Sequence, residues 1–470
     1  MTLARTALEL AEQGIIVYFL LLHGFVALLL LLAVRELWTH WHIADDPNLA
    51  GVLTSQALPP LSILVAAQDA RVATPEAIHS YLALEYPRHE VIIVRDGIPE
   101  GLAAEYDLYP VPPAVMVTVP TAAVRGYHRS RRYSKLLLID KEHVGRADAL
   151  NASVNAARYP YVLVLETGTL LEPDALLRLA RPFLLGKSVA VASGAIRVGE
   201  VERADQLNAT APSIGTQWLR GVQSVETLRS VVFSRLGWNR LGGSMDLNGA
   251  VCLFLRDHVL AVGGYRASTA GEDSELAVRV YRHLQEQGLP NEIRLVSEAV
   301  AWTPPLAMRR ELGRQRERWH RGLIGLLASN RDLLLNARFG ATGLVAFPYL
   351  LIGEAVAPLI EVAGYVCLIL ALLTGGWSFA GLFLLVGPGY ATLLSLWAIA
   401  LERSGVRRFG GKRPLFRLVL WALAEPFGYR QMLLWARLRA SWRWVLGRHS
   451  WSGTPRNVTV GRSNPLSEGI

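Results

Sequence analysis

The chain has 470 residues, enough for one large α/β domain with membrane segments or for two to three soluble domains. Hydrophobic residues make up 51% and charged residues 19%, and the mean hydropathy is +0.27, a balance that leans towards a membrane protein. The net charge of +9 suits anionic lipid or a phosphorylated substrate; no nucleic-acid-binding motif accompanies it, so nucleic acid is not an expected partner.

In chain order, residues 14–34 carry no charge and, at about 1.5 Å per residue, are long enough to cross a hydrocarbon core. Arg5 is balanced by Glu9 and Glu12, and no small-residue cleavage site precedes Arg35 and Glu36. The segment therefore reads as a retained helix rather than a signal peptide. After Pro59 and Pro60 the pattern changes. LSILVAAQ from Leu61, EVIIV from Glu90, KLLLI from Lys135 and YVLVL from Tyr161 are short apolar runs bounded by breakers, the mark of buried strands. Residues 74–84 and 145–158 read as helices between them. Alternating strands and helices imply a mostly parallel sheet covered on both faces, with ligands bound beyond the carboxyl ends of the strands. The polar residues at those ends, Gln68, Asp69, Asp96, Lys141 and Glu166, are expected to converge on one crevice. The basic run His128–Lys135 reads as a loop, either solvated or facing anionic groups.

Two further spans are expected, residues 341–374 and 379–401, separated by Gly375 and Gly376. Arg-rich segments flank the pair on both sides, so the positive-inside rule places both flanks in the cytoplasm. A last apolar stretch, 418–434, is interrupted by Glu425, Pro426 and Arg430 and followed by WARLRASWRW, which alternates aromatic and basic residues. It reads as re-entrant or interfacial, with a full crossing as the alternative. Glu354 and Glu361, inside the first of these spans, either pair with a basic neighbour or line a path for acceptor or product. The domains expected are residues 1–43, a transmembrane helix; 44–336, a cytoplasmic domain; 337–403, two transmembrane helices; and 404–470, a basic loop with re-entrant or interfacial helices. The two cysteines, Cys252 and Cys367, lack metal-ligand neighbours and read as free thiols.

The order of these segments resembles the membrane-anchored family 2 glycosyltransferases, in the branch of cellulose, hyaluronan and poly-N-acetylglucosamine synthases. Four stretches carry the resemblance: YLALEYPRHEVIIVRDG, KEHVGRADALN, DLNGAVCLFLRDHVLAVGGY and GEDSELAVRV. QRERW at 315–319 adds to them, fitting QxxRW at every fixed position. The resemblance implies a GT-A-like, Rossmann-type mixed-sheet domain with flanking transmembrane helices. It implies inverting transfer of a sugar from a nucleotide sugar, such as a UDP-sugar, to a glycan or lipid-linked acceptor in surface polysaccharide synthesis at the bacterial inner membrane.

By the same resemblance, Asp273 is the general base, with Glu272 beside it. Gln68, Asp69, Asp96, Arg146 and Glu166 hold the donor. Gln315, Arg318 and Trp319 meet the diphosphate and acceptor, and Glu166 is the candidate ligand of Mg²⁺ or Mn²⁺. The chain departs from the family pattern in three places: Arg95-Asp96 replaces a pair of aspartates, Gly271 stands for a threonine, and Glu166-Thr167-Gly168 replaces DxD. These departures leave open a second reading, an impaired homologue acting as scaffold or regulatory subunit of a synthase. Three clear spans are few for secreting a polymer, so a second membrane subunit is an expected partner.

Overall fold

The structure, a computed structural model, describes residues 2–44, 58–67, 75–113, 118–166, 168–185, 189–198, 217–242, 251–266, 271–405 and 412–447. Gln68 and Asp69 therefore lie outside the described residues. The described residues form a ten-stranded mixed sheet, in the order β3-β4-β5-β2-β1-β6-β9-β8-β10-β7. The strands are β1 Leu61–Ala67, β2 His89–Arg95, β3 Leu108–Val111, β4 Val124–Ser130, β5 Leu136–Lys141, β6 Tyr161–Leu165, β7 Leu170–Leu171, β8 Val189–Val198, β9 Val251–Leu255 and β10 Glu292–Thr303.

Every residue of β1 and β2 is buried, as expected for Val/Ile/Leu runs covered on both faces. Alternate side chains serve opposite faces. Leu64, Ile92, Ile139 and Val164 share one core with residues of the Arg146–Ala156 helix. Ile63, Val91, Leu138 and Leu163 share the other with the Pro75–Leu82 helix.

The sheet is more mixed than the alternating pattern predicts. β5, β2, β1 and β6 run parallel. β9 then enters antiparallel between β6 and β8, and β8 pairs parallel with β10. The basic run expected as a loop is in part strand: residues 128–130 end β4, which pairs antiparallel with β5. Charged side chains near a sheet edge, here Arg125 and Arg129, oppose edge-to-edge association.

Among the described residues, three helices are long and apolar enough to cross a membrane: Arg5–Trp38, Ala357–Thr374 and Trp377–Leu401. The first belongs to α1, Thr2–Ala44. The apolar block expected as one span over 341–374 is two pieces, Thr342–Ala355 and Ala357–Thr374. Pro358, with no N–H to donate, sits in the first turn of the second piece, where its missing donor costs no helical hydrogen bond. The stretch expected over 418–434 is a helix–turn–helix. Its helices are Lys412–Ala424 and Tyr429–Val445, and Gly428, at φ 84°, supplies the left-handed turn.

Candidate active site

The helix Glu272–Glu286 begins with its two acids, and the Arg146–Ala156 helix begins with Arg146. The sheet brings these starts together across more than a hundred residues. Arg146 Nη1 donates to Glu272 Oε1 at 2.8 Å and to Asp273 Oδ2 at 2.8 Å. Asp273 is 8% exposed, and its Oδ1 is buried and accepts no hydrogen bond among the described residues. Burial pushes the Asp273 carboxyl up, against the pull of Arg146 and with help from the charge of Glu272, to about 6. Glu272 meets the same burial, but Arg146 outweighs it and holds that carboxyl below its usual range. One arginine thus serves two carboxylates whose ionisation it separates, an arrangement suited to a base that must accept a proton.

These three side chains line a cavity of about 460 Å³ together with Glu166, Arg318 and Trp319. Glu166 follows β6, and its Oε1 lies 3.8 Å from Arg318 Nη2, close enough to attract and too far for a hydrogen bond. Arg318 and Trp319 project from the Arg309–Ser329 helix, where spacings of three and four residues keep Arg318, Trp319 and Gly322 on one face. Trp319 is 46% exposed, and the Arg316 guanidinium stacks over its ring at 4.2 Å. Gln315 stands on the same helix, one turn before Trp319, and is not among the residues that line the cavity.

The cavity does not end at the sheet. Tyr18 and His23 of α1 line it, as do Glu354, Glu361, Arg430 and Arg437. Glu354 pairs with Arg437 at 3.4 Å, the basic partner that one sequence reading expected, and it also lines the cavity. The sequence offers no signal for Glu226, Arg229 and Arg235, which also line it, because the helical segments Trp218–Arg229 and Ser230–Leu236 carry none of the motifs.

Two strand-end residues sit elsewhere. Lys141 is 1% exposed and ion-paired to Asp148, so it braces the start of the Arg146–Ala156 helix instead of facing the crevice. Asp96 is outside the cavity lining, in a cluster at the ends of β2 and β5. Arg125 reaches Asp96 Oδ1 at 2.5 Å and Asp140 Oδ1 at 2.6 Å, and the Gly97 N–H donates to Asp140 at 3.0 Å. The hydrogen bond from Arg125, with one from the His143 N–H, holds the Asp96 carboxyl below its ordinary range. The sequence analysis singled out neither Asp140 nor Arg125, and the place of Arg125 depends on β4 pairing with β5.

Residues 161–385 match the family model described as "Glycosyl transferase family group 2". The match covers a little under half of the chain and includes β6, β9, β10 and the Arg309–Ser329 helix. It is similar to the poly-beta-1,6-N-acetyl-D-glucosamine synthase of Staphylococcus epidermidis, 23% identical over 264 residues, covering 56% of this chain and 54% of that protein. It is also similar to the synthase of the same name in Staphylococcus aureus strain COL, 22% identical over 304 residues, covering 64% and 62%. The chain thus spans a little over half the length of these curated relatives. Among solved structures, it is similar to the mannosyltransferase PcManGT from Pyrobaculum calidifontis in complex with GDP-Man and Mn²⁺. That likeness has 15% identity and a TM-score of 0.47, and covers 93% of this chain and 99% of the other.

Proposed function

We propose that this chain transfers a sugar, with inversion, from a nucleotide-diphosphate sugar to a glycan or lipid-linked acceptor at a membrane, in the synthesis of a surface polysaccharide. The observation that carries this reading is the free oxygen of Asp273 on a cavity that continues from the soluble domain to the membrane helices. Asp273 takes the proton of the acceptor hydroxyl as that oxygen attacks the anomeric carbon and the bond to the diphosphate breaks. Glu272 shares Arg146 with Asp273, and its negative charge helps hold the Asp273 carboxyl up. Arg318 presents a planar fork of donors to the departing diphosphate, exchanging its long contact with Glu166 for charge-assisted hydrogen bonds. Trp319 offers a ring face to an acceptor sugar, with Gln315 a turn away. Asp96 serves the nucleoside end, where Arg125 and Asp140 orient it. In this reading residues 44–336 form the cytoplasmic catalytic domain and the flanking helices anchor it in the inner membrane, where a second membrane subunit completes the export path.

A divalent cation in such a site supplies positive charge to the diphosphate. Among the described residues no group of three or more His, Cys, Asp or Glu side chains is gathered to hold an ion. Glu166 brings one carboxylate and Gly168 brings no side chain. These residues do not form a protein-held cage; Mg²⁺ or Mn²⁺ would come with the diphosphate and take a single protein oxygen, from Glu166.

The test is single-turnover transfer by Asp273→Asn. The chemical step should fall about 10²–10⁴-fold, the contribution of a general base, with nucleotide-sugar binding kept. Transfer at the wild-type rate would remove Asp273 from the base role. The single carboxylate at 166–168 favours the second reading, a catalytically impaired subunit. Absence of donor hydrolysis by the purified wild-type protein, with any donor, metal and acceptor supplied, would select it.

A further inference from the structure

The Arg309–Ser329 helix has two working faces. Arg318, Trp319 and Gly322 look into the catalytic cavity. The opposite face, with Arg309, Arg310, Gly313 and Arg314, forms one wall of a separate concavity of about 650 Å³. The Tyr429–Val445 helix forms the facing wall and contributes Arg439 and Arg443. Five arginines thus meet one carboxylate, Glu317, and that carboxylate is held by Arg443 at 2.5 Å. Arg309 stacks over Trp218 at 5.3 Å, which leaves its charge uncompensated by any acid of the lining. Arg310, Arg314 and Arg439 make no ion pair among the described residues.

The apolar surroundings of this basin point in one direction. On the Tyr429–Val445 helix and its first following residue, Trp435, Arg439, Trp442 and Leu446 recur at spacings of four, three and four, which places them on one face. Trp435 and Trp442 are each 65% exposed, Leu446 is 52% exposed, and Phe427 at the preceding turn is 77% exposed. A face of exposed tryptophan interleaved with arginine, beside membrane-spanning helices, is the pattern of an element lying at the headgroup level. Arginine forks match phosphate oxygens, and a concave cluster holds one headgroup rather than a diffuse layer of charge.

We infer that the basin between the Arg309–Ser329 and Tyr429–Val445 helices is a binding site for the phosphate headgroup of an anionic phospholipid. Arg310, Arg314 and Arg439 contact the phosphate, and Trp435, Trp442 and Phe427 seat the helix among the acyl-chain ends of the headgroup region. A lipid held there clamps the two helices from behind the face that carries Arg318 and Trp319. The site does not depend on the proposed transfer reaction and is tested without it.

The experiment is native mass spectrometry of the protein extracted from nanodiscs of phosphatidylcholine containing phosphatidylglycerol. The wild-type protein should retain phosphatidylglycerol in preference to phosphatidylcholine. Replacing three charges, R310Q/R314Q/R439Q, should weaken that retention on the order of 100-fold. The charge-keeping variant R310K/R314K/R439K, monodisperse on gel filtration as a check of folding, should retain lipid well above the glutamine variant. Millimolar glycerol phosphate should not displace the lipid. Equal retention by the wild-type and glutamine proteins would overturn the site. Displacement by glycerol phosphate would overturn its assignment to a lipid in favour of a soluble phosphate ligand.

Discussion

At the residue scale, the proposed chemistry rests on Arg146 and the two acids it joins. Asp273 must be ionised to act as a base, and burial raises it to about 6, so kcat should be lost as pH falls through about 6. Stability runs in the opposite sense. A folded-state pKa above the ordinary aspartate value, about 3.9, stabilises the folded protein most below that value, and the contribution is lost as pH rises through about 6. Arg146→Ala leaves two neighbouring buried carboxylates without their cation. It should move the acid limb of the pH–rate profile upward and lower stability by about 3–5 kcal/mol, the usual cost of breaking a buried ion pair. A profile identical to wild type would show that Arg146 does not set the pKa of Asp273.

Gly168 is a second residue-scale test. Its φ of 81° favours glycine, yet no heavy atom lies within 4 Å of where a Cβ would stand, and aspartate tolerates this region better than most residues. Gly168→Asp therefore has room to add a second carboxylate near Glu166. Transfer by the wild-type protein should saturate only at high Mg²⁺ or Mn²⁺ or persist in part after chelation, whereas the variant should saturate at lower metal. Complete loss on chelation with micromolar saturation, unchanged in Gly168→Asp, would mean that other residues hold the ion.

At the scale of elements, the joint between α1 and the segment at Gly237 is close. A Cβ on Gly237 would come within 2.3 Å of the Leu29 carbonyl oxygen, a backbone atom with no freedom to rotate away. Leu29 is fully buried in this contact, with Trp238 and Ala346 in the same cluster. Glu36, farther along α1, fixes the same joint through Arg240 at 2.5 Å and Arg294 at 3.2 Å. Gly237→Ala should therefore cost the roughly 1–3 kcal/mol of stability typical of overpacking, read as a lower thermal unfolding midpoint in detergent. An unchanged midpoint would show that α1 is not seated on this segment. The helix Arg309–Ser329 makes a related point. Its motif residues were legible as letters, but only packing showed that the motif occupies one face while unrelated arginines occupy the other.

At the scale of the whole molecule, the proposed topology puts the sheet in the cytoplasm and the turn between the last two spans outside. Both native cysteines are buried, so introduced ones report cleanly. In intact cells, Trp377→Cys, at a site 69% exposed, should react with a membrane-impermeant maleimide, and Arg131→Cys should stay protected. The reverse pattern would invert the protein in the membrane.

The sequence by itself determined what short-range patterns can express. β1, β2, β5 and β6 are continuous apolar runs because both their faces are covered. The span in α1 is an uncharged stretch, and Asp273, Arg318 and Trp319 stand in motifs of fixed spacing. Periodicity did not reach β8 and β10, where Gly194 and Arg294 interrupt the apolar run, or β4, whose charges suit a strand near the sheet edge as well as a loop. Tertiary structure alone decided which of the motif residues meet. The antiparallel entry of β9 beside β6 leads the chain back so that Glu272 and Asp273 face Arg146, 126 and 127 residues earlier. Pairing of β4 with β5 gave Asp96 its Arg125 partner away from the main cavity, and Asp148 drew Lys141 into the core. Those outcomes depend on contacts between segments far apart in the chain, and local sequence carries no record of the pairing of strands that creates them.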